Sequence, residues 1–209
     1  MDSVLGKNGW KKKGVNIFWG EIAPAEHILQ IYETDNEFIA SLEGFVTGGF
    51  EKDESVVVIA TPEHLRALNE RLRKKGYDLF SLTLQDQYIP LSAEDTLAQF
   101  MINGWPDQNL FYHLLTNLLL RARKKERRVR AFGEMVALLW AKGFSGATVH
   151  LEHLWSQYCQ SEEFSLFCAY PKAGFTEDPI ESLEQICGCH SKLIETQENN
   201  YKEMLVKTA

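Results

Sequence analysis

The stretch SVVVIATP, residues 55–62, decides the fold of this chain. Its first six residues form a continuous, largely β-branched apolar run, which predicts a strand buried on both faces in the middle of a parallel sheet. Thr61 and Pro62 then predict a helix start, because a threonine hydroxyl caps the first turn and proline fits the first helical position. A buried strand that leads directly into a helix is the repeating unit of an α/β domain.

The same alternation recurs on both sides of this unit, about five times in all. Further strands are predicted over 27–32, 87–91, 129–133 and 164–169. Helices are predicted from Thr34 to a stop at Gly48–Gly49, from Thr61 to Gly76, after Ser92, after Asp107, over 134–142, over 146–158 and over 179–206. We therefore expect an α/β fold with a mostly parallel sheet flanked by helices on both faces.

Composition limits the domain organisation and the class of partner. The 209 residues, 44% of them hydrophobic, fit one α/β domain over 17–195, with a polar N-terminal extension (1–16) and a C-terminal helical tail (196–209). A net charge of −7 argues against a nucleic-acid binder, so we interpret the basic run 121–128 as a helix-end cap rather than an anion patch. The sequence has neither an 18-residue apolar stretch nor a secretory signal, and its four cysteines do not suggest a disulfide framework. These features predict no membrane contact and a cytoplasmic location.

Two motifs that would bind a nucleotide or a metal ion are incomplete. Gly44–Gly49 has the glycine spacing of a P-loop, but Phe50 and Glu51 stand where lysine and serine or threonine are needed, so we interpret the glycines as a helix end. The run Cys187-Gly188-Cys189-His190 is a compact group of soft ligands without a second regularly spaced pair. Cys159 and Cys168 would complete a set only if the fold brought them there. We therefore expect buried thiols, no metal and no cofactor.

Catalytic signals are weak as well. A G-x-S-x-G nucleophile motif is missing from the sequence. Glu134 and Glu152 could act as general acid and base if they converge, although a glutamate at a helix start is equally explained by the helix dipole. Aromatic residues concentrate near the strand ends and on the helices that follow, which is typical of a core and also of an apolar small-molecule site.

Several segments together resemble one family. They are Trp19-Gly20-Glu21, residues 27–33, residues 130–136, residues 138–140, residues 151–155 and, as FSLFCAYP, residues 164–171. Over about residues 17–195 the chain resembles the MEDS family, the sensory domain named for methanogens, methylotrophs and the regulator DcmR. The resemblance implies a fold akin to RecA- and KaiC-like cores without a functional P-loop. It also implies a sensor of small, hydrocarbon-derived organic compounds in prokaryotic signal transduction and transcription regulation.

On this basis we expect a sensory domain rather than an enzyme, with no catalytic residue. Output would pass to a sensor kinase, to a transcription regulator or to a second copy of the chain. The resemblance and the strand-end positions suggest a ligand site beyond the carboxyl ends of the strands. Its candidate ligand-binding residues are His27, Tyr32, Arg130, Glu134, Glu152, Trp155 and Tyr170. The alternative is an enzyme, either with residual nucleotide binding or as a glutamate-dependent hydrolase.

Overall fold

A computed structural model describes residues 10–13, 19, 22–175, 180–196 and 202–207. Its strands are β1 (Trp10–Lys13), β2 (His27–Tyr32), β3 (Ser55–Ala60), β4 (Tyr88–Ser92), β5 (Met101–Ile102), β6 (Trp105–Pro106), β7 (Val129–Gly133), β8 (Ser165–Pro171), β9 (Lys192–Thr196) and β10 (Lys202–Lys207). Its α-helices are α1 (Asp35–Glu51), α2 (Pro62–Lys74), α3 (Leu79–Leu84), α4 (Ala93–Ala98), α5 (Gln108–Ala122), α6 (Met135–Ala141), α7 (Ser145–Glu162) and α8 (Ile180–Gly188). Two short 3₁₀ turns cover Lys124–Glu126 and Lys172–Phe175.

The main sheet has the strand order β1-β10-β9-β2-β8-β7-β3-β4, and β5 and β6 form a separate hairpin. The six strands from β9 to β4 are parallel to their neighbours, whereas β10 pairs antiparallel with β9 and with β1. Helices α1–α3 pack on one face of this sheet, and α4–α8 pack on the other. The predicted α/β architecture, a mostly parallel sheet with helices on both faces, is confirmed.

The central strand β3 is the segment that the sequence describes best. Its bounds agree with the prediction, and all six of its residues are buried between β4 and β7. Thr61 Oγ1 accepts a hydrogen bond from the His64 amide at 3.3 Å, so α2 begins as predicted. β2 and β7 also have their predicted bounds, and β4 and β8 differ from theirs by one or two residues.

Helix α1 begins as predicted but does not end where the glycines suggested. Thr34 and Glu37 form the expected reciprocal capping box, and the helix then continues through Gly48 and Gly49 to Glu51. A Cβ on Gly48 would lie 2.8 Å from the carbonyl carbon of Trp19, and one on Gly49 would lie 2.7 Å from Val56 Cγ2. The glycines therefore let the helix approach its neighbours closely, and the prediction of a helix stop was wrong.

The chain termini also differ from the expectation. Within its described residues, the segment predicted as helical over 179–206 forms one helix, α8, and then the strands β9 and β10. Residues 10–13, which fall in the expected N-terminal extension, form β1 against β10. In β9, Leu193 and Ile194 are both buried, one in the core of each face, so the strand is a short apolar run without a helical period.

The basic run forms ion pairs with acidic residues of the same chain. Arg121, in the last turn of α5, and Lys124 both contact Asp86, at 2.5 and 3.0 Å. Arg123 contacts Glu162 at 2.9 Å. These cations join the end of α5 to nearby segments, as expected of a helix-end group. None of the helices in the described ranges has both the length and the apolarity that crossing a bilayer requires.

Candidate functional site

The structure distributes the predicted ligand-binding residues over four places instead of one site. His27, Glu152 and Tyr170 lie together under α7. Tyr32 and Glu134 lie at the carboxyl edge of the sheet. Arg130 lies on the sheet face that α1 covers, and Trp155 lies beside an apolar cavity. His27 is the first residue of β2 and therefore lies at the amino end of its strand, not at the carboxyl end where the ligand site was expected.

His27, Glu152 and Tyr170 belong to a group that also contains Cys168 and His190, which we call the buried cluster. In the parallel pair of β2 and β8, alternate residues share a face, so His27 lies on the same face as Cys168 and Tyr170. Helix α7 covers this face and contributes Glu152, and His190 follows α8. The five side chains come from four segments and are almost completely excluded from solvent.

The polar atoms of the buried cluster converge on one point. His27 Nε2 lies 3.4 Å from Cys168 Sγ and 3.6 Å from Glu152 Oε2. His190 Nε2 lies 3.5 Å from the same carboxylate oxygen, and the centroids of the two imidazole rings are 3.8 Å apart. Four potential metal-ligand atoms, one from each of His27, Glu152, Cys168 and His190, therefore lie within 4.8 Å of one another.

Hydrogen bonds fix the orientation of these side chains. The Tyr170 hydroxyl donates to Glu152 Oε1 at 2.5 Å. His27 Nδ1 donates to the carbonyl oxygen of Cys189 at 3.0 Å, and His190 Nδ1 donates to that of Ile186 at 2.6 Å. Because a carbonyl oxygen only accepts, the proton of each neutral imidazole is on Nδ1, and the lone pair is on Nε2.

Burial shifts the ionisation of the cluster strongly. Desolvation raises the pKa of Glu152 to about 8, although the hydrogen bond from Tyr170 acts in the opposite direction. Burial also raises the pKa of the Cys168 thiol well above its usual value. The pKa of His27 is lowered, first by burial and then by the neighbouring His190. The low-dielectric surroundings thus favour the neutral form of each of these groups as long as no compensating charge is present.

A second polar group lies at the carboxyl edge of the central strands, and we call it the edge network. Glu134 follows β7; its Oε2 accepts the Thr61 amide at 2.8 Å, and its Oε1 accepts from His64 Nδ1 at 2.7 Å. Burial alone would lower the pKa of His64, but the hydrogen bond and charge of Glu134 raise it above its usual value. Burial, with Glu134 and Asp35, raises the pKa of the nearby Tyr32.

Arg130 is not part of either group. It lies on the face of β7 that contacts α1, where its Nη1 donates to the carbonyl oxygens of Phe45 at 2.8 Å and Trp19 at 2.9 Å. Its Nε donates to Glu54 Oε2 at 2.5 Å, so its charge is paired inside the protein. In the structure Arg130 joins β7, α1 and the residues before β3.

The cavity beside Trp155 lies between the sheet and the helices α5 and α7. Its volume is about 10 Å³, and its lining consists of Val57, Ile59, Leu115, Leu118, Leu119, Ala131, Trp155, Tyr158 and Phe164. Trp155 is almost fully buried against Gly133. Its Nε1 has no hydrogen-bond acceptor among the described residues, which is uncommon for a buried tryptophan.

Sequence reasoning missed three participants. His64 was recognisable, because it lies in the first turn of a helix that begins at the carboxyl edge of the sheet. Cys168 was interpreted as a core thiol that could join the group containing His190 only if the fold brought the two together. Nothing in their spacing connects them with His27 and Glu152, because the contact depends on strand order.

Comparison with known proteins identifies the family. The model of the MEthanogen/methylotroph, DcmR Sensory domain (MEDS) matches residues 26–191. The chain belongs to this family. Among curated proteins none matches the MEDS chain. The matched region contains the whole buried cluster and the edge network, and it ends one residue after His190.

Two solved structures from Pyrococcus horikoshii OT3 resemble the MEDS chain in fold. One is a protein studied as project PH0250, with a TM-score of 0.55 and 12% sequence identity over 87% of each chain. The other is the KaiC-like protein PH0186, with a TM-score of 0.56 and 11% identity over 87% of this chain and 77% of that one. These likenesses confirm the KaiC-like, RecA-like α/β fold that the sequence resemblance implied.

Proposed function

We propose that this MEDS chain binds a small organic molecule in the cavity beside Trp155 and passes the signal to a partner. Family membership suggests the sensory or regulatory role. The cavity carries the finer proposal, because its lining is apolar and includes Trp155, a buried residue whose Nε1 lacks an acceptor in the described part of the chain. Mostly apolar surroundings with a few polar groups are typical of small-molecule sites.

The size of the cavity limits the ligand. A volume of about 10 Å³ is comparable to the space that one water molecule needs. A short hydrocarbon derivative would therefore enter only if α5 and α7 moved away from the sheet. This requirement suits a sensor, because ligand binding would favour the expanded state over the compact one.

Helix α7 provides a route for the signal. It contributes Trp155 and Tyr158 to the cavity, and the Ser156 hydroxyl donates to the carbonyl oxygen of Cys189 at 3.2 Å. A displacement of α7 would therefore also move the segment between α8 and β9. The partner that reads this movement would be a sensor kinase, a transcription regulator or a second copy of the chain. Cys159 and Cys168 are buried free thiols, which supports a cytoplasmic location as part of the proposal.

The test is a thermal-shift screen of short alcohols, thiols, halomethanes and nucleotides against two variants of neighbouring residues on α5. Leu119 lines the cavity, whereas the side chain of Leu120 is 66% exposed. A ligand at 100 times its Kd stabilises the folded protein by about 2.7 kcal/mol. We expect this stabilisation in the wild type and in Leu120→Phe, and its loss in Leu119→Phe, with circular dichroism confirming that both variants fold. Stabilisation by ATP alone, or equal responses of the two variants, would contradict the proposal.

An enzymatic role is the alternative, and one observation favours it. The 2.7 Å contact between His64 and Glu134 resembles a general-base pair at the edge where ligands of such sheets bind. The acid–base pair expected from the sequence, Glu134 with Glu152, has less support, since Glu134 bonds to His64 and Glu152 bonds to Tyr170. Hydrolysis of nucleotides or esters by the wild type, abolished by Glu134→Gln, would favour the enzyme over the sensor.

A further inference from the structure

We propose that His27, Glu152, Cys168 and His190 bind one divalent transition-metal ion, with Zn²⁺ as the best-fitting probe. This inference is independent of the cavity beside Trp155, because none of the four residues lines that cavity.

The distances within the buried cluster suit a tetrahedral site. Ligand bonds of about 2.0–2.3 Å around a tetrahedral ion place neighbouring ligand atoms about 3.3–3.8 Å apart. The separations of 3.4 Å from His27 Nε2 to Cys168 Sγ and 3.6 Å from His27 Nε2 to Glu152 Oε2 fall in this interval. The separation of 3.5 Å from His190 Nε2 to Glu152 Oε2 does so as well. No pair exceeds 4.8 Å, so small side-chain rotations would complete the tetrahedron.

The hydrogen bonds around the cluster resemble the outer partners of a metal site. Each histidine donates its Nδ1 proton to a backbone carbonyl oxygen, of Cys189 for His27 and of Ile186 for His190, and each therefore presents the lone pair of Nε2 to the others. Metal-bound histidines usually have such a partner, which fixes the tautomer and the ring orientation. Tyr170 likewise binds one oxygen of Glu152 and leaves the other directed at both imidazoles.

Glu152 gives a second, independent indication of a cation. Its side chain is fully buried, and Oε2 has no hydrogen-bond donor among the residues that the structure describes. A buried carboxylate oxygen without a partner is costly. A cation between Glu152, Cys168 and the two imidazoles would compensate the charges of a carboxylate and a thiolate, whereas hydrophobic packing does not explain why four such groups meet.

The donor set selects the class of ion. Two imidazole nitrogens, one thiolate and one carboxylate suit Zn²⁺ and neighbouring first-row ions, whereas Mg²⁺ and Ca²⁺ prefer oxygen ligands alone. Four protein ligands leave no open position for substrate, which is typical of a structural rather than a catalytic zinc site. An ion here would tie β2, β8, α7 and the segment after α8 to one another.

The experiment uses the full chain, stripped with a chelator and then titrated with Zn²⁺ and with Co²⁺. We expect one Zn²⁺ per chain by elemental analysis. In the near ultraviolet, Co²⁺ should give a thiolate-to-metal charge-transfer band, and in the visible it should give the intense absorption of a tetrahedral site. Cys168→Ser should remove the charge-transfer band, and His190→Ala should weaken Zn²⁺ binding by at least about tenfold, an effect at least as large as the loss of an outer partner.

Two variants serve as controls. Cys159→Ser changes another fully buried cysteine of the same face, and His153→Ala removes an exposed histidine of α7; neither residue belongs to the four. Both should bind Zn²⁺ like the wild type. The proposal is overturned if the wild type binds no Zn²⁺, or if Co²⁺ gives no thiolate band. It is also overturned if variants at Cys168 and His190, folded by circular dichroism, retain wild-type affinity.

Discussion

Replacing Arg130 with methionine separates a structural role of this residue from a role in ligand binding. The side chain of Arg130 is 1% exposed, and that of Glu54 is 8% exposed. Arg130 Nε donates to Glu54 Oε2 at 2.5 Å, and Nη2 contacts the same oxygen. Nη1 satisfies the carbonyl oxygens of Phe45 and Trp19, and the guanidinium carbon lies 5.1 Å from the centre of the Phe45 ring.

The loss of unfolding free energy in Arg130→Met depends on the buried charge that remains after the substitution. Methionine retains a flexible apolar stem but leaves the Glu54 carboxylate buried. Among the described residues, the cation that still contacts this carboxylate is the exposed Arg128, at 3.9 Å. Removing one partner of a buried ion pair costs about 3–5 kcal/mol. In the double variant Arg130→Met/Glu54→Leu the uncompensated charge is gone, so its cost should be smaller than the sum of the single costs, by roughly 1–3 kcal/mol.

Urea denaturation of the wild type, both single variants and the double variant gives the four free energies of unfolding. Arg128→Met is the matched control, and we expect it to change stability by no more than about 0.5 kcal/mol. A cost below about 1 kcal/mol for Arg130→Met, or additive costs in the cycle, would refute the reasoning. A stable Arg130→Met variant that no longer responds to a ligand would instead favour the sequence-based assignment of Arg130 to the ligand site.

Two further predictions concern α1 and the edge network. Gly48→Ala should lower the unfolding temperature markedly, and more than the same change at the exposed Gly188. A Cβ on Gly48 would lie 2.8 Å from the Trp19 carbonyl carbon, whereas no atom of the residues that the structure describes lies within 4 Å of one on Gly188. Equal effects of the two substitutions would contradict the close approach. Glu134→Gln should lower the pKa of His64, measured by NMR titration. Because the pKa of His64 is raised in the folded state, its protonated form stabilises the fold. This stabilisation should be complete below the unfolded-state pKa of about 6.5 and be lost as the pH rises through the folded-state pKa. An unchanged His64 pKa in Glu134→Gln would contradict this prediction.

The part of the fold that the sequence predicted is the part set by local patterns. Continuous apolar runs identified β2, β3 and β7, and hydroxyl caps at Thr34 and Thr61 identified the starts of α1 and α2. These signals depend on neighbours within a few residues and therefore survive without knowledge of the tertiary structure.

In the misassigned segments, contacts with residues distant in sequence determine the secondary structure. Gly48 and Gly49 indicate a helix end in isolation, but in the structure Trp19 and Arg130 lie where their side chains would be. β9 is five residues long and follows a helix, so its apolar pair resembles the continuation of that helix. The strand forms because it pairs in parallel with β2, which is far away in sequence.

The buried cluster depends even more on topology. Its four potential ligands are separated by 125, 16 and 22 positions along the sequence, intervals without a repeating motif. Pairing of β2 with β8 brings His27 beside Cys168, and α7 and the end of α8 add the other two. Sequence reasoning named His27 through the family resemblance, and Glu152 both through it and as a possible acid or base. It could not join them to Cys168 and His190 without the strand order.

The N-terminus of α1 gives a physical reason why the proposed ligand site does not lie at this helix end. Phosphate groups bind at helix N-termini through free backbone amides and the positive end of the helix dipole. Here the Thr34 hydroxyl accepts the Glu37 amide, and the Glu37 carboxylate accepts the amides of Glu33 and Thr34. The capping box therefore uses these donors and adds a negative charge where a phosphate would approach. With this end of the helix satisfied by its own side chains, the groups that still lack partners in the described structure include Trp155 Nε1 and Glu152 Oε2, on the face under α7. Each of the two proposed sites contains one of these residues, so both lie under α7 and not at the N-terminus of α1.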